Sequence, residues 1–198
     1  RKVLLIGATL FLAALACNVP AMSNPGTVQP TSQSSAGELV AAMNLTAADV
    51  PGYETAKTDD IVWDQVLNQN VVAYDYAAYA DAQENTDVNS IVMELSKAPD
   101  AQVIDDIFKQ ARQNKQFIIC RLTSGASLGE YSGEIPLSLG DSGKIRFIDT
   151  ASGKVYVAVV ARGSYVTVIT TCGPDADQQL VSLLAAMVDT RVVSLSSG

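Results

Sequence analysis

The sequence predicts an α+β fold in which helices pack on antiparallel strands. Between residues 144 and 172, three β-branched segments follow one another with short connections that contain glycine, a pattern typical of an antiparallel meander. Segments with helical periodicity precede and follow these strands instead of alternating with each of them. This order favours hairpins over the crossover connections of a parallel sheet.

The first seventeen residues have the layout of an export signal. Two basic residues precede an apolar run, 3–16, which is short for a membrane span and ends at Cys17. The segment 12–17, Leu-Ala-Ala-Leu-Ala-Cys, resembles the bacterial lipobox, whose cysteine receives diacylglycerol and becomes the new N-terminus. We therefore predict a signal peptide over 1–16 and lipid attachment at Cys17. Cleavage by the ordinary signal peptidase is the alternative, because 14–16 also reads small-x-small.

Residues 17–36 predict a flexible tether, because they are rich in Pro, Ser, Thr, Gln and Asn and have no apolar periodicity. Residues 37–198 are long enough for a single domain with a hydrophobic core. Two or more acyl chains hold a protein to a bilayer firmly. We expect an extracytoplasmic domain that is anchored to the cell membrane by lipid.

The charge of the chain excludes nucleic acid as a partner. The 13 basic and 21 acidic residues give a net charge of −8, and loss of Arg1 and Lys2 with the leader changes it to −10. Affinity for polyanions comes from clustered basic residues, and the sequence has no such cluster. The chain also has no histidine, so we predict neither a metal site nor a cofactor.

Cys120 and Cys172 are the two cysteines that follow the predicted anchor. An even pair in an exported chain is most simply a disulfide. Closing a loop of this length stabilises a fold by about 4 kcal/mol in the chain-entropy model. Two buried thiols on adjacent strands are the alternative.

The first half of the domain combines short helices with strands. The segment 38–43 is amphipathic, and 45–53 begins with capping-box spacing and ends in a Pro-Gly turn. Alternating apolar residues predict strands over 71–78 and 91–96. A helix follows Pro99-Asp100, and its apolar residues recur at helical spacing, so one stripe must pack against a sheet.

The second half contains most of the predicted strands. A strand is expected over 117–122, before a Gly/Ser-rich passage, and the meander strands cover 144–149, 154–161 and 164–172. Gly173-Pro174-Asp175 ends the last strand and begins a final helix. The predicted buried face of this helix consists of Leu180, Leu183, Leu184, Met187 and Val188.

Three of these segments carry a family resemblance: 45–53 (Leu-Thr-Ala-Ala-Asp-Val-Pro-Gly-Tyr), the Gly140-Asp141 turn, and 159–166 before the terminal helix. With this order of elements, residues 39–193 resemble the PsbP-like, LpqN-type extracytoplasmic lipoproteins and related sensor domains of actinobacterial envelope proteins. The resemblance implies a curved antiparallel sheet with helices packed on it. It implies no catalytic signature, because the family shares none.

Two short motifs resemble functional sites without completing them. Residues 125–129 match G-x-S-x-G, but Ser127 has no histidine to take its proton and no S-x-x-K lysine to replace it. Oxygen-bearing side chains recur as in a calcium loop at Asp81, Gln83, Asn85 and Asp87. Thr86 replaces the required glycine there and Val92 the closing glutamate, so a hairpin connection is favoured.

Three aromatic residues are candidate ligand-binding residues: Trp63, Tyr74 and Tyr76. Trp63 with Asp59, Asp60 and Asp64 could bind a cation or a sugar, through the carboxylates and the aromatic ring. The two tyrosines share one face of a predicted strand. The alternative is ordinary packing, in which Trp63 and Tyr53 hold the first helix on the sheet.

The leading hypothesis is a non-catalytic lipoprotein whose domain binds a small-molecule ligand or another envelope protein on its concave sheet face and nearby loops. One alternative is a structural or assembly factor of the cell envelope, which acts by protein contact and has no ligand pocket. The other is a hydrolase that uses Asp59, Asp60 or Asp141. It requires two of these carboxylates within about 10 Å in one cleft.

Overall fold

The computed structural model describes residues 35–56, 60–83, 85–113, 120 and 128–197. The helices are α1 (Ser35–Met43), α2 (Gln65–Asn68), α3 (Ala101–Gln113) and α4 (Gln178–Ser196), with a 3-10 turn at Ala47–Asp49. The strands are β1 (Tyr53–Thr55), β2 (Val71–Asp81), β3 (Asp87–Leu95), β4 (Gly133–Pro136), β5 (Ser142–Thr150), β6 (Gly153–Arg162) and β7 (Tyr165–Gly173). The predicted signal peptide, Cys17, the tether up to residue 34 and Ser127 lie outside the described residues, as does most of the predicted strand 117–122.

The seven strands form one antiparallel sheet in the order β1-β2-β3-β7-β6-β5-β4. Strands β5, β6 and β7 pair as consecutive hairpins, as the predicted meander requires. Strand β7 then pairs with β3, which places the end of the meander at the centre of the sheet. The α+β class with antiparallel strands and packed helices is therefore confirmed.

Helices cover both faces of this sheet. On one face, here called the α3 face, Ile91, Val168 and Val159 belong to the same buried cluster as α2 and α3. On the opposite face, the α4 face, Val92 and Ile169 are buried with α1 and α4. The central strands β3, β7 and β6 are therefore buried on both sides, which explains why they consist of nearly continuous apolar or β-branched residues. The concave sheet face, which was predicted as the binding surface together with nearby loops, is covered by helices in this central part.

The predicted buried face of the final helix is partly wrong. Leu184 and Val188 are buried as predicted, but Leu183 is 58 % exposed and Leu180 and Met187 are only half-buried. The buried positions instead are Val181, Leu184, Ala185, Val188, Asp189 and Val192. Apolar residues surround most of this helix, so periodicity alone did not identify the side that meets the sheet.

Several boundaries also differ from the prediction. Helix α1 begins at Ser35, inside the segment predicted as tether, and three residues before the predicted helix start at Glu38. Strand β3 begins at Asp87, four residues earlier than predicted, because the buried polar residues Asn89 and Ser90 belong to it. The short elements β1, α2 and β4 had no prediction.

A buried polar network attaches the end of α1 to the hairpin of β2 and β3. Asn44 is fully buried, and its amide nitrogen donates to the Asp75 carboxylate at 2.7 Å and to the Ser90 carbonyl oxygen at 3.2 Å. Its amide oxygen accepts from the backbone N–H of Leu45 at 2.8 Å and from the Ser90 hydroxyl. Pairing of this kind offsets the cost of burying polar groups, so Asn44 fixes where α1 ends.

The segment 45–53 connects α1 to α4. The Asp49 carboxylate accepts from the backbone N–H of Thr46 at 2.7 Å and from its hydroxyl at 2.8 Å, which agrees with the predicted capping spacing. Arg191 of α4 donates to Asp49 at 2.5 Å and to the carbonyl oxygen of Asn44 at 2.6 Å. Hydrogen bonding to Arg191 is the main cause that lowers the pKa of Asp49. This part of the family-like sequence therefore has a structural role.

The stability of the protein is expected to fall in acid partly through Asp49. Because the pKa of Asp49 is lowered on folding, its contribution is fully present above the unfolded-chain pKa of about 3.9 and is lost as the pH falls through the lower folded value. Urea unfolding at pH 5 and pH 3 should show a smaller loss of stability in Asp49→Asn than in the wild type. Asp60→Asn, at an exposed aspartate, should keep the wild-type pH dependence. An identical loss in wild type and Asp49→Asn would contradict the role of this ion pair.

Candidate functional site

Trp63, Tyr74 and Tyr76 lie together on the α3 face and are here called the aromatic cluster. The Trp63 ring meets the Tyr74 ring edge-on, with ring centroids 5.2 Å apart and planes at 82°. Tyr74 and Tyr76 alternate along β2, so both point to the same face. The structure thus brings the three predicted residues to one place, at the β2 side of the sheet.

The three rings differ in exposure. Trp63 is only 7 % exposed and packs in the core with Leu67 of α2, whose backbone N–H donates to the Asp64 carboxylate at 2.9 Å. Tyr74 and Tyr76 are half-buried and pack against the edge of that core. Trp63 is therefore the base of the cluster, and the two tyrosines form its accessible part.

The packing alternative is right about the burial of Trp63 and wrong about the helix against which it packs, whereas Tyr53 packs as that alternative predicts. Trp63 lies on the α3 face, whereas α1 lies on the opposite, α4 face, so Trp63 cannot hold the first helix on the sheet. Tyr53 does pack in the cluster that contains α1. The sequence could not predict that Trp63 and Tyr53 pack on opposite faces of the sheet. Tertiary contacts decide the face on which residues outside the long strands pack.

Buried polar side chains of the central strands border the aromatic cluster. The Tyr76 hydroxyl donates to the amide oxygen of Asn89 on β3 at 3.1 Å. Asn89 is 2 % exposed and pairs in register with Thr170 of β7, which is 1 % exposed. This hydrogen bond fixes the position of the Tyr76 ring relative to β3.

A disulfide joins Cys120 to Cys172, with Cα atoms 5.8 Å apart. It agrees with the predicted bridge and replaces the alternative of two free thiols. Cys172 pairs in register with Asp87 of β3, and Asp87 is two residues before Asn89 on that strand. The bridge thus holds residue 120 near Asn89. The bridge therefore ties the chain to the sheet next to the buried polar residues.

A cleft of about 160 Å³ lies where the beginning of α3 crosses β5, lined by Pro99, Asp100, Ala101, Ile104, Asp105, Ser142 and Lys144. Its charged side chains are already engaged: Asp100 accepts from the Val103 N–H at 3.0 Å, Asp105 binds Arg146 at 2.6 Å, and Lys144 binds Glu134 at 3.1 Å. A ligand would have to displace these partners. The cleft is therefore a weaker candidate than the aromatic cluster.

Arg146 is the centre of an interaction that the sequence did not predict. Its guanidinium lies 4.3 Å from the centroid of the Phe108 ring and binds Glu134 at 2.8 Å. Hydrogen bonding to Arg146 lowers the pKa of Glu134, and burial raises the pKa of Tyr131, whose hydroxyl donates to the Phe108 carbonyl oxygen at 2.7 Å. These contacts attach α3 to β5 and give Arg146 a structural role.

Of the carboxylates proposed for a hydrolase, the structure describes Asp60 and Asp141. Asp59 lies outside the described residues, and Asp60 is exposed in the irregular chain before α2. Asp141 lies beside β6, where its backbone N–H donates to the Ala161 carbonyl oxygen at 2.7 Å and its carboxylate accepts from the Gly163 N–H at 2.8 Å. The Asp141 carboxylate is thus engaged at the β6–β7 turn, and this contact gives the hydrolase alternative no support.

The segment that resembles a calcium loop is a hairpin connection. Strand β2 ends at Asp81 and β3 begins at Asp87, as favoured from the sequence. The Asp81 carboxylate accepts from the backbone N–H of Asn85 at 2.6 Å, which uses it to close the turn. No cluster of three or more metal-ligating His, Cys, Asp or Glu residues occurs in the part of the chain that the structure describes.

The turn at Gly140-Asp141 is also explained by structure. Gly140 has φ = 62°, and a side chain there would place Cβ 2.3 Å from the carbonyl oxygen of Ala161. The carboxylate of Asp189 on α4 accepts two hydrogen bonds of 2.8 Å from Arg162 beside this turn. The second family-like segment therefore connects the β4–β5 and β6–β7 turns to α4.

Comparison with known proteins identifies no family. No family model matches the chain, and no curated protein matches it. One solved structure that it resembles is the extracellular domain of PknH from Mycobacterium tuberculosis, at 14 % identity and a TM-score of 0.48, over 85 % of this chain and 100 % of that one. Another is an uncharacterised Mycobacterium smegmatis protein, the Rv0999 orthologue, at 13 % identity and a TM-score of 0.28, over 70 % and 90 % of the two chains. Similarity of this size transfers no function, and the PsbP-like, LpqN-type resemblance stays a prediction.

Trp63 is the only tryptophan of the chain, so its fluorescence reports on the aromatic cluster alone. Because the ring is buried, we expect blue-shifted emission and little quenching by iodide. Tyr74→Ala removes the edge contact and should shift the emission to longer wavelength and increase iodide quenching several-fold. Tyr165→Ala, at a half-buried tyrosine on the opposite face, should change neither quantity. Strong quenching in the wild type would show that Trp63 is not packed in this way.

Proposed function

We propose that the protein is a non-catalytic, lipid-anchored extracytoplasmic domain that binds a ligand or a second envelope protein through the aromatic cluster. The observation that carries this proposal is a pair of half-buried rings on one face of β2: Tyr74 packs edge-on against buried Trp63, and Tyr76 is bound to Asn89 beside it. Rigid aromatic side chains with a polar end are the residues that binding surfaces favour, because they offer a large contact area at low cost in entropy.

Two features support a location outside the cytoplasm. One is the predicted export signal, which ends at Cys17 in a lipobox-like segment. The other is the disulfide between Cys120 and Cys172, a bond that persists in oxidising compartments and is rare in the cytosol of most cells. The two features are independent, since one is a targeting segment and the other belongs to the folded domain.

The arrangement of titratable groups supports a role without catalysis. A general acid needs a raised pKa, whereas arginine partners lower the pKa of Asp49 and of Glu134. The chain has no histidine to act as a general base. The hydrolase alternative therefore has no support among the described residues.

The cluster favours a neutral ligand with an apolar face and hydroxyl groups, such as a sugar, or the apolar side chains of a partner protein. The net charge of −8 opposes the approach of anionic ligands. The Tyr76 hydroxyl is already oriented by Asn89, so it offers a polar contact at a fixed position. Aromatic rings with one oriented hydroxyl group favour ligand binding over catalysis.

Protein contact without a small-molecule ligand is the second candidate function. Small-molecule sites are typically clefts of about 300–1,000 Å³. The cleft at α3 and β5 measures about 160 Å³, which is below that range. This particular cleft is therefore too small for a drug-sized molecule. The aromatic cluster is the proposed contact surface for both candidate functions.

Titration with tri-N-acetylglucosamine, monitored by Trp63 fluorescence, separates the two candidates. The ligand function predicts a saturable change in emission and at least a tenfold weaker affinity in Tyr76→Ala, equivalent to about 1.4 kcal/mol. Tyr165→Ala serves as the control and should bind like the wild type. A wild-type chain that shows no change up to millimolar sugar would contradict sugar binding and leave protein contact as the function.

A further inference from the structure

Helix α4 presents an uncharged face to solvent. Its 19 residues include two charged side chains, Asp189 and Arg191, and both are bound to the domain. Asp189 accepts from Arg162 at 2.8 Å, and Arg191 donates to Asp49 at 2.5 Å. The outer face of α4 is therefore free of charge along the length of the helix, about 28 Å.

The same face exposes apolar side chains. Leu195 is 40 % exposed near the end of the helix, but it lies about 120° around the axis from Leu183 and so belongs to the inner side. Leu183, which is 58 % exposed, and Val193, which is 44 % exposed, belong to the outer side. Ala186 and Thr190, which are small and uncharged, lie between them on the outer side. A surface helix normally carries charged residues on the side that faces water. Their absence in a chain with 21 acidic residues indicates that this face has another use.

Helix α4 does not cross a membrane in this fold. Among the described residues it is the one helix with the length and apolar composition of a membrane span. Its inner face, however, is buried on the sheet through Val181, Leu184 and Val188. Packing in the core therefore explains why the inner face of α4 is apolar. It does not explain why the outer face is apolar and uncharged.

The predicted anchor enters the domain on the same side of the sheet. Helix α1, which begins at Ser35, is buried with α4 on the α4 face, and its end contacts Arg191 through the carbonyl oxygen of Asn44. Seventeen residues, 18–34, lie between Cys17 and Ser35. A chain of this length spans at most about 60 Å and has a root-mean-square length of about 20–25 Å as a coil. A lipid at Cys17 therefore keeps the α4 face within reach of the bilayer.

We propose that the outer face of α4 is the surface with which the anchored domain rests on the lipid bilayer. This inference rests on the proposed lipid anchor at Cys17. Anionic headgroups repel faces that carry carboxylates, so an acidic domain can approach the bilayer only through an uncharged face. Weak contact is sufficient, because a short tether gives an effective concentration in the millimolar range.

A second copy of the chain is a less suitable occupant of this face. A helix about 28 Å long with an exposed strip about 10 Å wide offers about 300 Å². Stable dimers bury about 800 Å² on each partner. A bilayer does not need this area, because the acyl chains at Cys17 supply most of the affinity.

The test uses the full-length acylated protein with Thr190→Cys, at an exposed position in the middle of this face. Acylation of Cys17 and the bridge of Cys120 to Cys172 leave the new cysteine as the free thiol for a nitroxide label. The protein is reconstituted in vesicles of phosphatidylcholine with a minority of phosphatidylglycerol. Lys109→Cys, exposed on α3, is the matched control on the other side of the domain.

Accessibility to oxygen and to an aqueous nickel complex, measured by electron paramagnetic resonance, gives the result. The label at 190 should favour oxygen several-fold over nickel, and the label at 109 should favour nickel. Adding Leu183→Asp should return the label at 190 to water, whereas Val72→Asp, at an exposed valine on β2, should not.

Three other results would each be decisive. Nickel access at 190 equal to that at 109 overturns the proposal while the lipid anchor stands. Spin–spin coupling at 190 overturns it in favour of a second copy. A sample whose intact mass lacks acyl chains contradicts the proposed function itself, independently of α4.

Discussion

Burial of the central strands on both faces is the constraint on which the rest of this structure depends. Strand β7, at the middle of the sheet, pairs with β3 and β6, and helices cover all three on either side. Antiparallel sheets usually expose one face, whereas this one has the double coverage that parallel sheets have. Surfaces for recognition must therefore lie at the margin of the sheet or on the outer faces of the helices. The aromatic cluster and α4 occupy these two kinds of position.

Polar contacts hold the two helical layers in place. Asn44 binds α1 to the β2–β3 hairpin, Arg191 binds α4 to the segment 45–53, and Arg146 binds α3 to β5. Each of these side chains is wholly or largely covered, where an unpaired polar group would cost about 1–3 kcal/mol. The sequence segments that carry the family resemblance belong to this framework. These segments determine how the helices pack on the sheet, and they contain no catalytic motif.

The sequence was informative where local physics decides the structure. Strands β5, β6 and β7 were predicted to within two residues at each end, because β-branched segments and glycine turns define them locally. Tyr74 and Tyr76 were placed on one face by the two-residue period of a strand. The side on which Trp63 packs and the inner face of α4 depend on tertiary contacts, since Trp63 lies in irregular chain and α4 is apolar on most sides. Short elements such as β1 and β4 have too few residues to show a period.

The central claim is that this fold is held outside the cytoplasm by lipid at Cys17 and closed by one disulfide. Intact mass of the protein extracted from bacterial membranes, with a thiol-blocking reagent added before or after reduction, tests both parts. The account predicts a chain that begins at Cys17 with diacylglycerol attached and that takes up two blocking groups only after reduction. An unacylated chain, or cysteines at 120 and 172 that react without reduction, would contradict it.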